Sequence, residues 1–197
     1  MNTYLTDEER AALARVTIAI VGAGGLGSNC AAHLVRAGIR RLILADFDVV
    51  SESNLNRQFF FRDQIGLKKV DALAANLRRI EPDLDLTLVS ERLDAAGVAK
   101  LIVPADIVVE AVDFAETKAT LISLALAAGK KVVAASGMAG WGHSAAMTAR
   151  QMGSNLVVVG DGETAISDTL APQSPRVGIA AAMEANSVIA LILGHPV

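Results

Sequence analysis

Gly22-Ala23-Gly24-Gly25-Leu26-Gly27 is the first run in this chain able to hold a reacting group. It follows an apolar, β-rich stretch, Thr17–Val21, and opens a helical pattern. Glycines in that setting let the backbone turn tightly and approach a phosphate, whose charge meets free N–H groups and the positive end of the helix dipole. Asp46 lies about 24 residues beyond Gly22, at the end of the next apolar run, where a carboxylate accepts hydrogen bonds from ribose hydroxyls. Asp48 follows two residues later. Gly22, Gly24, Gly25, Gly27, Asp46 and Asp48 therefore form a candidate binding set for an adenosine nucleotide, and they would serve NAD as well as ATP.

The stretch after Asp48 separates those two ligands. Ser53-Asn54-Leu55-Asn56-Arg57-Gln58, then Gly66-Leu67-Lys68-Lys69-Val70, places Asn54, Arg57, Gln58 and Lys69 downstream of the ribose-binding acid. Two amides and two cations can surround a triphosphate, and phosphoryl or nucleotidyl transfer rests on positioning and on neutralising charge at the transferring group. A dehydrogenase needs no such insert; a solvated polar turn with a surface lysine is the plain alternative. Asp113 ends Val108-Val109-Glu110-Ala111-Val112-Asp113, just past an apolar strand, where the ligands of open α/β sheets sit. It is a hard oxygen ligand suited to Mg2+, and equally a cap for the helix that begins near Ala115. Arg57, Lys69 and Asp113 are the candidate catalytic residues, and Asp113 is the candidate metal ligand. Glu110 faces the opposite way and has no assigned role.

These residues need a scaffold that brings strand ends together. With 197 residues, 52% of them apolar and 20% charged, the chain has the material for a single domain over 1–197 with one core, and disorder is excluded. Strand-like runs at Thr17–Val21, Arg41–Ala45, 86–89, 107–109 and Lys131–Ala135 alternate with helical patterns at Gly25–Ala37, 68–80, 94–101 and 115–128. Alternation of this kind requires right-handed crossovers and a mostly parallel sheet covered on both faces. The expected fold is α/β, a Rossmann-like doubly wound sheet, extended after Ala135 by strands at 143–150 and 156–159 that read as antiparallel. A short helix within 1–15, a crossover loop at 160–176 and a last helix at 177–193 complete the chain.

Composition also sets limits on partners. A net charge of −3 gives no overall positive field, so nucleic acid is not an expected partner. The single cysteine, Cys30, excludes an intramolecular disulfide and any zinc site needing two thiolates, and a reducing cytoplasm is expected. The uncharged run 16–35 is about as long as a bilayer span, but its glycines, followed by Ser28, Asn29 and His33, read as strand, turn and helix. No membrane association and no secretory leader are expected, because 1–15 is polar, with Asp7, Glu8 and Glu9.

Taken together, the glycine run through Ser28, Asp46-Phe47-Asp48-Val49-Val50, Ser53 to Gln58, Gly66 to Val70 and Val109 to Asp113 resemble the ubiquitin-activating-enzyme-like superfamily. The likeness covers most of the chain and is greatest to the ThiF and MoeB type. It implies that Asp46 binds ribose, that Asn54, Arg57 and Lys69 contact phosphates, and that Asp113 supports Mg2+ and the reacting centre; Gln58 ranks lower. Ala134-Ala135-Ser136-Gly137-Met138-Ala139-Gly140 and Pro175-Arg176-Val177-Gly178 look like the compact ThiF subgroup of thiamine thiazole biosynthesis. That likeness implies an ATP-dependent adenylyltransferase acting on the C-terminal Gly-Gly carboxylate of a ubiquitin-like sulfur carrier of the ThiS kind. It also implies a homodimer.

Three features depart from the larger relatives. Paired Cys-x-x-Cys motifs are absent, so no zinc is expected. No cysteine stands in the 160–176 loop, and Cys30 is read as a core residue. The leader arginine that larger relatives lend to the partner subunit has no clear counterpart, though Arg10 and Arg15 are in reach. Phe59, Phe60 and Phe61 are read as core or dimer contacts, His33 as a helix-surface residue and His143 as a strand residue. Trp141 is a candidate for lining the groove that receives the carrier tail. The competing functions are a tRNA-carboxylate-activating dehydratase of the same superfamily and an NAD-dependent oxidoreductase.

Overall fold

Local signals start and stop the helices. In the computed structural model, which describes residues 4–167 and 169–197, Thr6 caps α1 (Asp7–Arg15) through a reciprocal box with Glu9. Gly38, at φ 118, ends α2 (Gly25–Ala37), its N–H donating to the Leu34 and Val35 carbonyls. Asp94 caps α4 (Ala95–Ile102), and Gly194 ends α6 (Ser174–Leu193) in the left-handed conformation. The other helices are α3 (Lys69–Arg78) and α5 (Ala115–Ala127).

The strands β1 (Thr17–Val21), β2 (Arg41–Ala45), β3 (Asp85–Val89), β4 (Ile107–Glu110), β5 (Lys131–Ala135), β6 (Thr148–Met152) and β7 (Leu156–Gly160) form one sheet. Its order is β3-β2-β1-β4-β5-β7-β6. Side chains alternate between two buried layers. Ile18, Ile20, Val109, Val133 and Val157 pack on the side of α2, α3 and α6, while Ala19, Val21, Val108 and Val132 face α4 and α5. Strands buried on both faces need near-continuous apolar runs, which is what these five-residue stretches supply. Helix α6 is long and apolar enough to cross a membrane by length and composition, but it lies across the core, packed chiefly against α2.

The sheet is the doubly wound, mostly parallel one expected, with one difference at its end. Only β6 is antiparallel. β7 runs parallel to β5 and lies between β5 and β6. The chain passes out to the edge, forms β6, turns at Gly153 and returns into the inner slot. Burial explains the choice: Leu156–Gly160 is apolar and largely covered, whereas Thr148–Met152 is mostly exposed and suits an edge. The strand expected over 143–150 starts later, because His143 takes a left-handed backbone at φ 47 and Ser144–Ala146 forms a 3-10 turn. His143 is therefore a turn residue, not a strand residue. Helix α6 begins at Ser174 rather than Val177, since Pro175 is tolerated in a first turn, where its missing N–H has no partner to lose.

Candidate active site

Three strands end side by side. Val21 pairs with Ala45 on one side and Glu110 on the other, so the turns leaving β1, β2 and β4 surround one space. It is a cleft of about 130 Å3 that brings together Gly22, Gly24, Asp46, Asp48, Lys69 and Asp113. Two glycines make this possible by contact, not flexibility alone. A Cβ on Gly22, already at φ +101, would stand 2.2 Å from the Ala111 carbonyl oxygen, and one on Gly27 would stand 1.8 Å from that of Gly22. Only bare backbone lets β4, the loop and α2 close up.

Asp46 braces this loop. One carboxylate oxygen accepts the Ala23 N–H at 2.7 Å and the other accepts the Asp48 N–H at 2.9 Å. Lys69, the first residue of α3, is buried on the same floor, its ammonium 2.8 Å from Asp48 and 3.9 Å from Asp46. The cation expected to meet phosphate is thus already paired, and a bound phosphate would share or replace Asp48 as its partner. Such an exchange favours a ligand of higher negative charge than a single carboxylate.

Arg57, Gln58 and Asn54 are not among the residues that line this cavity, though Arg57 and Gln58 lie against the glycine loop. The Arg57 stem lies 3.5 Å from where a Gly25 Cβ would be, and the Gln58 amide nitrogen lies 3.8 Å from the corresponding point on Gly24. The first turn of α2 holds this segment: Asn29 donates to the Arg57 carbonyl at 2.9 Å, and the Ser28 hydroxyl accepts the Phe59 N–H at 3.0 Å. A buried amide pair, Gln64 with Asn76, fastens the segment to α3 from behind. The Arg57 guanidinium donates to the Asn56 side chain and the Ser53 carbonyl. Asn54 closes a short 3-10 turn by accepting the Ser51 N–H. Gln58 is buried with its carboxamide oxygen unpartnered.

Asp113 lines the cleft and is exposed. The cap of α5 is Phe114, with no side-chain cap bond, so Asp113 is not spent on the helix. Among the described residues no group of three or more His, Cys, Asp or Glu could cage a metal. The donor set, one carboxylate exposed to the cleft, fits Mg2+, which typically takes one or two carboxylates and completes its shell with phosphates and water.

The cleft also holds Phe47, Arg92 and Phe114, which sequence reasoning passed over. The Arg92 guanidinium lies 4.9 Å from the centre of the Phe47 ring. All three follow strand ends, so the same rule that singled out Asp46 and Asp113 covers them. Two other ionic contacts had no sequence signal. Glu110 pairs with Lys118 at 2.5 Å, and Arg176 reaches back to Asp161 at 2.5 Å.

Burial works to raise the Asp161 carboxyl, but the amides of Thr164 and Glu163, the Thr164 hydroxyl and Arg176 outweigh it and hold it well below the usual carboxylate range. Arg176 also donates to the Gly142 carbonyl at 2.7 Å, joining the start of α6 to the loops after β5 and β7. These loops border a second cavity of about 530 Å3, lined by Trp141, His143, Leu170 and Arg176. Cys30 is fully buried, and its thiol is pushed up by burial and by the charge of Glu184. Of the three phenylalanines, Phe60 is buried, while Phe59 and Phe61 meet edge to face. His33 is exposed on α2.

Several known proteins are similar to this chain. One is ubiquitin-like modifier-activating enzyme 5 of Bombyx mori, 53% identical over 70 residues, spanning 36% of this chain and 18% of that protein. Another is the enzyme of the same name from Arabidopsis thaliana, 50% identical over 70 residues, spanning 36% of this chain and 16% of that one. The chain thus matches less than a fifth of these relatives' lengths. Among solved structures, E. coli tRNA N6-threonylcarbamoyladenosine dehydratase in complex with ATP superposes with a TM-score of 0.87 at 22% identity, covering 95% of this chain and 90% of that one. E. coli MccB with AMPCPP and MccA gives 0.73 at 20% identity, covering 93% and 57%. At these identities the likeness is one of fold. The ThiF family model matches residues 2–197, and the chain belongs to the ThiF family.

Proposed function

We propose that this protein is an ATP-dependent adenylyltransferase that activates the C-terminal glycine carboxylate of a ubiquitin-like sulfur carrier of the ThiS kind. Its place would be thiamine thiazole biosynthesis in the cytoplasm, with the enzyme acting as a homodimer. The observation that carries the reading is the meeting of Asp46, Lys69 and Asp113 in one cleft beneath the glycine loop, with Arg57 across Gly25. Support also comes from relatives named for activating ubiquitin-like modifiers and from neighbours in complex with ATP and AMP.

The chemistry follows from the groups present. The carrier's C-terminal carboxylate is ionised at neutral pH and is already a nucleophile. Its oxygen attacks the α-phosphorus of ATP; the bond from that phosphorus to the bridging oxygen breaks, and pyrophosphate leaves. Asp46 orients the ribose, and Gly22 to Gly27 present backbone N–H groups to the phosphates. Arg57 and Lys69 offset the charge that grows on the leaving group, each worth on the order of 3 kcal/mol if well aimed. Mg2+, when bound at Asp113, supplies further neutralisation of the phosphates. No residue has to act as a general base.

The second reading is a tRNA-carboxylate-activating dehydratase, favoured by the fold shared with that E. coli enzyme. ATP–pyrophosphate exchange separates the two. Exchange is expected with carriers ending in Gly-Gly and absent with threonylcarbamoyl-modified tRNA alone; the reverse result overturns the carrier assignment. Arg57→Ala and Asp113→Ala are each expected to cut exchange at least a hundredfold, whereas Cys30→Ala leaves it within twofold. Tight NADH binding without exchange would favour an oxidoreductase.

A further inference from the structure

We propose that Glu110 is a positioning residue: it holds Lys118 away from Asp113 and so keeps the Asp113 carboxylate open to the divalent cation that accompanies the nucleotide. This rests on the nucleotide-binding reading of the cleft. Glu110 is the last residue of β4 and is completely buried. The strand before it is Ile107-Val108-Val109, and packing alone would be served by another aliphatic side chain. Burying a carboxylate there is costly unless each oxygen is matched. Both are: one accepts the Val112 N–H at 2.9 Å and the other the Lys118 ammonium at 2.5 Å. Lys118 also donates to the Ala135 carbonyl at 2.8 Å, so one pair ties the end of β4, the first turns of α5 and the end of β5.

Helix geometry says what Lys118 would otherwise do. With Phe114 as the cap of α5, Asp113 stands just before the cap and Lys118 at the fourth helical position. Those two positions are neighbours at a helix start, close enough for apolar side chains there to pack together, so a lysine at one is within reach of a carboxylate at the other. The Lys118 side chain is 27% exposed, so it is not sealed in place and can swing toward the cleft. An ammonium released there would pair with the exposed Asp113 and compete with a cation for it. The other carboxyl in this neighbourhood, Glu184, has both oxygens unpartnered in the core. Burial, then the charge of Glu110, push it up, and Lys118 opposes that shift from nearby without a hydrogen bond to either oxygen.

Glu110→Gln tests this, because the amide keeps an acceptor for the Val112 N–H while losing the charge that claims Lys118. Binding of ATP is measured by calorimetry across a series of MgCl2 concentrations, with AMP binding in the absence of metal as reference. The Mg2+ concentration for half-maximal enhancement of ATP binding is expected to rise at least fivefold in Glu110→Gln, with AMP affinity within twofold. The double variant Glu110→Gln/Lys118→Met should return to within twofold of the unsubstituted protein. An unchanged midpoint in folded Glu110→Gln, or a double variant that stays shifted, overturns the proposal. If Glu110→Gln does not fold, Lys118→Met is the fallback: with the ammonium already held off Asp113, its removal is expected to leave the midpoint within twofold, and a raised midpoint marks the pair as a structural clasp only and overturns the proposal. Failure of the unsubstituted protein to bind ATP or AMP overturns the nucleotide reading itself, whereas normal binding with an unshifted midpoint overturns this proposal alone.

Discussion

Gly27 makes the tightest approach in the glycine loop, with its missing Cβ 1.8 Å from the Gly22 carbonyl oxygen. Gly27→Ala is therefore expected to destabilise the fold by about 1–3 kcal/mol or more, as overpacking does, read as a lower urea midpoint. An unchanged midpoint would mean that α2 can shift without cost. This constraint was legible in the chain as a glycine pattern, because spacing at a strand-to-helix turn has few physical explanations. The pairing of Lys69 with Asp48 was not legible. It depends on where α3 begins relative to the end of β2, and the residues between them have no periodicity from which to infer a path.

At the scale of elements, α6 carries the clearest anomaly. Glu184 lies fully buried on a mostly apolar face, one turn before the buried Ser187, with neither oxygen bonded. Burial, then the charge of Glu110, raise its carboxyl well above the ordinary value, with Lys118 opposing. The folded state thus holds the proton more tightly than the unfolded chain does. The contribution of this group to stability is most favourable below the unfolded value near pH 4.3 and declines as pH rises toward the folded value. Glu184→Met, similar in size and apolar, should raise the thermal midpoint by an amount that is larger at pH 8 than at pH 5. A gain of equal size at both would sink this account. Asp161 has the opposite sign: its lowered carboxyl contributes above about pH 4, and that contribution is lost as pH falls through the folded value. The end of α6 was readable from its apolar run and terminal Gly194, whereas its start lay three residues earlier than expected. Its buried glutamate was not, because burial of a given helix face depends on which neighbour covers it, here α2.

For the whole molecule, the expected assembly is a homodimer, and light scattering should report twice the 20.5 kDa chain mass; a monomer at micromolar concentration overturns that part of the reading. The alternation of strand and helix patterns was enough to specify a doubly wound sheet, since apolar five-residue runs separated by amphipathic helices leave few chiral arrangements. The motifs likewise pointed to Gly22, Gly24, Asp46, Asp48, Lys69 and Asp113, which the structure brings to one cleft, because strand ends in such sheets converge by geometry; Asn54, Arg57 and Gln58 lie outside its lining, and Phe47, Arg92 and Phe114 were not singled out. Tertiary structure alone decided that β7, not β6, lies beside β5, that Lys69 lines the cleft while Arg57 lies against Gly25 outside its lining, and that Glu110 claims Lys118. Periodicity reports which face of an element is buried; which partner it meets across space is set by packing, and packing leaves no local trace in the order of residues.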